Sequence, residues 1–129
     1  MGNIQRFEDL EIWQKARALN QNLFRLISDT QLQKDFKLRE QINGAAGSIM
    51  DNIAEGFERD GNKEFAQFLS IAKGSCGEVR SQLYRCYDRE YIDQDQFNEL
   101  KNQCSSLSRQ INALMKYLKS SDRRGSKFD

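Results

Sequence analysis

A chain of 129 residues with 20 basic and 19 acidic side chains, three cysteines, no histidine and no proline suits one domain around a single core. The missing histidine removes the commonest general base and metal ligand, and an odd number of cysteines without Cys-x-x-Cys spacing suggests neither a disulfide framework nor a compact thiolate metal site. No run of about 18 apolar residues could span a membrane and the opening residues lack a charged-then-apolar secretory pattern, so a cytoplasmic location without membrane association is expected.

The absence of proline and an apolar pattern that keeps the helical period predict an all-α fold. Residues 1–9 read as a lead-in, 10–119 as a four-helix bundle and 120–129 as a mobile basic tail. The first helix is expected from Leu10, with Asp9 as its cap. Leu10, Trp13, Ala16, Phe24 and Ile27 share one face. Ile12, Leu19, Leu23 and Leu26 form a second row, so the helix is apolar over more than one packing face. Asp35 should cap a second helix from Phe36 to about Arg59, whose core line is Leu38, Ile42, Ala45, Ile49, Asn52 and Gly56, with Ala46, Met50, Ile53 and Phe57 beside it.

Glu58 to Asn62 marks a tight turn with Asn62 as the next cap. The third helix then carries one stripe: Phe65, Phe68, Leu69, Ala72, Cys76, Val79, Leu83, Cys86 and Tyr87. Asp93 caps a fourth with Phe97, Leu100, Cys104, Leu107, Ile111, Leu114 and Leu118. Four helices with short connections imply an up-down-up-down antiparallel bundle.

Gly44, Gly47, Gly74 and Gly77 lie in helix interiors, where glycine costs about 1 kcal/mol relative to alanine. If helices 2 and 3 fold back about the turn, facing residue numbers sum to about 121. Gly44 then meets Gly77 and Gly47 meets Gly74, which predicts a tight helix crossing there. Reading them as nucleic-acid-clamping Gly-x-x-Gly loops fails, because both segments lie within helical periods.

Catalytic signals are weak. Ser70 and Lys73 match Ser-x-x-Lys, but the accompanying Ser-Asp-Asn and Lys-Thr-Gly motifs are absent. Glu55 and Glu78 fall about 12 residues, or roughly 18 Å, apart along an antiparallel pair, too far for a shared acid/base or metal role. With Asn20 and Asn52 they read as structural polar groups that fix register. Trp13 comes to the level of Asn52 or Glu55 if helices 1 and 2 are antiparallel. The three cysteines read as small buried hydrophobes. No catalytic residue, metal or cofactor is expected, and the chain is not expected to be an enzyme.

Charge is uneven: residues 1–99 carry 13 basic and 17 acidic side chains against 7 and 2 in residues 100–129, so −4 against +5. Lys101, Arg109, Lys116 and Lys119 on helix 4 with Arg123, Arg124 and Lys127 in the tail form the candidate polyanion surface, for RNA or DNA.

Three groups of residues carry a resemblance: Phe7-Glu8-Asp9-Leu10 with Trp13-Gln14-Lys15-Ala16; Gln41-Ile42, Ala45-Ala46, Ser48-Ile49 and Asn52-Ile53-Ala54-Glu55-Gly56; and Lys63-Glu64-Phe65, Phe68-Leu69, Ile71-Ala72, Gly74-Ser75 and Glu78. Over residues 7–118 the chain resembles the four-helix-bundle family of 23S ribosomal RNA intervening-sequence proteins. The resemblance implies a homopentameric ring and association with RNA or the ribosome. A related branch, the accessory proteins of diversity-generating retroelements, binds a reverse transcriptase and nucleic acid. Those relatives are strongly basic, and a net charge of +1 departs from them. A non-enzymatic oligomeric scaffold that contacts RNA or a ribonucleoprotein is therefore the leading expectation, with a reverse transcriptase accessory subunit as the alternative.

Overall fold

The computed structural model describes residues 4–122. A 3-10 turn at Phe7–Asp9 leads into α1 (Glu11–Asp29), and a second at Gln31–Lys34 leads into α2 (Phe36–Glu58). Short turns then join α3 (Asn62–Asp88) and α4 (Gln94–Asp122), and no strand occurs among the described residues. Helix α4 passes the expected boundary at 119, while the tail from 123 onward lies outside the described residues. Residue numbers run in opposite senses across α2 and α3, where the Arg85 guanidinium donates to Gln41 at 3.0 Å and the Ser75 hydroxyl to Ser48 at 2.9 Å. The same holds across α3 and α4, where Arg80 donates to the Ser105 hydroxyl at 3.4 Å and the Tyr84 and Phe97 rings meet at 4.8 Å. Helix α1 closes the bundle against α2 and α4 through thinner seams.

Two expected caps are formed. Asp35 accepts from the Leu38 N–H at 3.3 Å. Asp93 accepts from the Gln96 N–H at 2.8 Å while the Gln96 side chain accepts from the Asp93 N–H at 2.9 Å, a reciprocal pair that satisfies two orphan donors at once.

Two others are corrected. Asp9 turns back to accept from the N–H groups of Gln5 and Arg6, both at 3.2 Å, and so fastens the first 3-10 turn, while α1 begins after Leu10 without a side-chain cap. Ahead of α3 the capping position is Gly61, whose φ of +87° a residue without Cβ reaches freely. Asn62 is instead the first helical residue. It is buried, and its amide donates to the Leu118 carbonyl at 3.3 Å, tying the start of α3 to the end of α4.

The core takes Ile12, Leu19, Leu23 and Leu26 from α1, together with Leu10, Ala16 and Ile27. Phe24, expected on the same face, is 68% exposed, and Trp13 is half-buried, so the first apolar row of α1 straddles the rim. The α2 line from Leu38 to Ile53 is buried except for the half-buried Asn52 and Met50. The α3 stripe is buried apart from half-buried Phe68 and exposed Tyr87, and the α4 stripe apart from half-buried Leu114.

The predicted glycine crossing is not formed. A Cβ added at Gly44, Gly47, Gly74 or Gly77 would meet nothing within 4 Å. The antiparallel register is nearly as expected, but the helical phase differs. A step of one residue turns a helix by about 100°. The seam therefore falls on Ser48 and Ser75, the next residues after Gly47 and Gly74, and leaves Gly74 exposed and Gly47 half-buried at its margin. The close approach of α2 to α3 is at Gly56, where an added Cβ would lie 2.7 Å from the Phe68 Cβ and 3.0 Å from Phe65 Cδ1.

Candidate nucleic-acid interface

On α4, Arg109, Lys116 and Lys119 are exposed and Lys101 is half-buried. At about 100° per residue the four fall within an arc of roughly 80°. Arg123, Arg124 and Lys127 lie outside the described residues. Helix α3 contributes to the same side of the bundle. Lys63 and Lys119 line one hollow of about 330 Å3 between α3 and α4, with Ala66, Ser70 and Met115 around them. Further along, exposed Arg80 reaches the Ser105 hydroxyl, and half-buried Lys73 precedes Arg80 by seven residues, which returns it to nearly the same azimuth. The basic face thus belongs to two helices. Counting charge by segment missed the α3 cations, because α3 also carries acidic side chains on other azimuths. Glu78, for example, shares a groove with Glu40 and Arg85 on the α2 side.

Lys101 sits where this face meets an aromatic cluster. Its Nζ lies 5.9 Å from the Tyr84 ring centroid and 5.3 Å from that of Phe97. Phe97 also stacks on Tyr87 at 5.0 Å.

The structural polar residues separate into two kinds. Asn20 donates to the Ala46 carbonyl at 2.8 Å and to Ala16 at 2.9 Å, so it joins α1 to α2 and fixes their register. Asn52 donates within its own helix to the Ser48 carbonyl and hydroxyl, at 2.8 and 2.9 Å, and the same hydroxyl accepts from Ser75. Asn52 therefore supports the α2–α3 seam through a serine. Glu55 and Glu78 are both exposed, and Glu55 pairs with Arg59 at 3.5 Å. Trp13 packs edge-to-face on Phe7 at 5.2 Å, while the Asn52 amide is directed to Ser48. Burial pushes the Cys76 and Cys104 thiols up to about 12 and the Cys86 thiol up to about 11, which makes them weak nucleophiles at neutral pH.

One polar cluster went unread in the sequence beyond its capping residue. Asp35 Oδ2 accepts from the Tyr91 hydroxyl at 2.7 Å and from the Arg89 guanidinium at 2.6 Å, clamping the α1–α2 connection to the α3–α4 turn. The Tyr91 hydrogen bond, aided by Arg89 and the Leu38 N–H, holds the Asp35 carboxyl below its ordinary 3.8. A depressed folded-state value means stability that is present above the ordinary value and lost as pH falls through the folded one. Asp35→Asn should therefore melt below the wild type near neutral pH, and the gap should close toward about pH 2 in a series of thermal melts. A gap independent of pH would remove the clamp.

On the opposite side, α1 and α2 present exposed Phe24 with half-buried Trp13, Met50 and Phe57. Phe24 and Met50 border a hollow of about 520 Å3 with Arg17, Asn20 and Asn43. No described helix is long and apolar enough to cross a membrane.

A family model described as 23S rRNA-intervening sequence protein matches residues 8–113. The crystal structure of a protein of unknown function from the S23 ribosomal protein family of Bacteroides thetaiotaomicron is 22% identical with a TM-score of 0.74, over 81% of this chain and 98% of that one. At that identity the likeness bears on the fold alone. No curated protein matches. Because the family match begins at the turn before α1 and runs through α2 and α3 well into α4, the chain belongs to the 23S rRNA-intervening sequence protein family.

Proposed function

We propose that this chain is a non-enzymatic cytoplasmic scaffold, an up-down-up-down bundle that assembles into a homopentameric ring and contacts RNA or a ribonucleoprotein through its α3–α4 face. The observation that carries the reading is the gathering of Arg109, Lys116 and Lys119 with Lys63 and Arg80 on one side of the bundle. Exposed Phe24 lies on the other side with half-buried Trp13 and Met50, and a second copy would cover what they leave in water. A ring repeats the basic face, so contacts that are weak singly add through multivalency.

Filter binding to a structured RNA over a salt series tests it. Affinity should fall as salt rises, and the triple variant Arg109→Gln, Lys116→Gln, Lys119→Gln should flatten the logarithmic slope by about 3 per subunit if each side chain contacts a phosphate. No binding at low salt, or a slope unchanged in the variant, would overturn the RNA assignment, and a monomer by light scattering would overturn the ring. The exposed aromatic Phe24 favours a second reading, in which the α1–α2 face receives a polymerase such as a reverse transcriptase. Capture of that enzyme from the host without RNA would support it.

A further inference from the structure

The α3–α4 face ends in an aromatic group that the phosphate-contact reading leaves unused. Tyr84 is 47% exposed and Tyr87 is 39% exposed, although both rings rest on Phe97, which is itself 6% exposed. Phe97 fills the core at this end, so the two tyrosines add ring surface that remains in water. The Tyr84 and Phe97 planes meet at 70°, an edge-to-face arrangement that fixes the Tyr84 ring. Two cations flank it. Lys101 Nζ stands over the ring, 5.9 Å from its centroid, so a stacking base would take its place there, and Arg80, one turn earlier on α3, is held toward α4 by the Ser105 hydroxyl.

A rigid, half-exposed aromatic ring beside side chains able to neutralise phosphate is the combination that binds unpaired bases: the ring takes the base face and the cations follow the backbone. A paired base keeps its faces within the helical stack and cannot use the ring, so this end of the face distinguishes single strands from duplex. We infer that Tyr84, flanked by Lys101 and Arg80, is a stacking platform for an unpaired nucleotide, which makes the ligand of the basic face an RNA with single-stranded segments. This rests on the reading of the α3–α4 face as an RNA surface.

The test compares three probes of equal length and phosphate count per strand by fluorescence anisotropy: a single-stranded RNA 12-mer, the same sequence in a duplex, and an abasic phosphodiester strand. Wild-type protein should bind the base-bearing strand about tenfold or more tightly than the abasic one. Tyr84→Leu should lose that advantage while keeping its duplex affinity, and Tyr84→Phe, which retains the ring, should keep both. Equal affinity of the wild type for the base-bearing and abasic strands overturns the platform and needs no variant. So does a Tyr84→Leu protein that weakens on all three probes alike, since that marks a general loss of the face. In both cases the salt-dependent RNA reading stands, whereas failure of the wild type to bind any probe removes it together with the platform.

Discussion

Replacing Gly56 with alanine is expected to destabilise the protein by about 1–3 kcal/mol, the cost of overpacking a close-packed site, despite the helix propensity that alanine brings. The new Cβ would sit 2.7 Å from the Cβ of Phe68, 3.0 Å from Phe65 Cδ1 and 3.3 Å from the Phe65 carbonyl oxygen. None of these neighbours is the free end of a flexible side chain. Phe68 Cβ and the Phe65 carbonyl move only with the α3 backbone, and the Phe65 ring is fully buried against Phe57, with centroids 6.0 Å apart. Relief therefore requires α2 and α3 to separate near their connecting turn, which would strain the Gly61 cap and the Asn62 contact with α4. Urea unfolding should give a lower midpoint with an unchanged slope. A midpoint equal to or above that of the wild type would mean that Gly56 does not mark the closest helix approach.

Much of this architecture was legible in the chain because it rests on short-range signals. Helical periodicity set the four core rows, and Asp35 and Asp93 cap the helices that follow them. Asn20 on an apolar line pointed to a buried amide, and it does join α1 to α2. The misplaced glycine crossing and Phe24 share one physical source, whereas the Asp9 and Asn62 caps were lost to local turn geometry. A helical wheel locates a residue to about 100° per step, whereas the seam between two helices is narrower than that. The register placed Gly47 opposite Gly74 with little error in height, yet a rotation of one residue gave the seam to Ser48 and Ser75. Phe24 was lost in the same way, at the margin of an arc broader than the neighbours of α1 cover. The Asp35 cluster was unreadable for a different reason, since Arg89 and Tyr91 reach it across more than 50 residues of sequence. The basic face was half legible, because counting charge by segment finds the α4 cations but misses Lys63, Lys73 and Arg80, which join them only through packing.

The glycines that do not make the crossing lead to the opposite prediction. Changing Gly44, Gly47, Gly74 and Gly77 together to alanine should raise stability by about 2–4 kcal/mol, because each substitution restrains the unfolded chain and restores helix propensity in a site that already has helical geometry. No clash offsets the gain, as an added Cβ finds nothing within 4 Å at any of the four. The two pairs lie on different helices, with Gly44, Gly74 and Gly77 exposed and Gly47 half-buried, so their effects should add closely. A rise in the thermal midpoint of the variant, measured at a protein concentration where wild type and variant have the same assembly state, would confirm glycines clear of the crossing; a fall would restore the tight crossing. If stability rises while assembly or RNA binding falls, the missing side chains serve a surface contact. Gly44 and Gly47 lie on α2 and would report on assembly, whereas Gly74 and Gly77 lie on α3 and would report on RNA. The fold by itself gains nothing from a bare helix surface, and a sequence that keeps four such residues forgoes several kcal/mol of available stability.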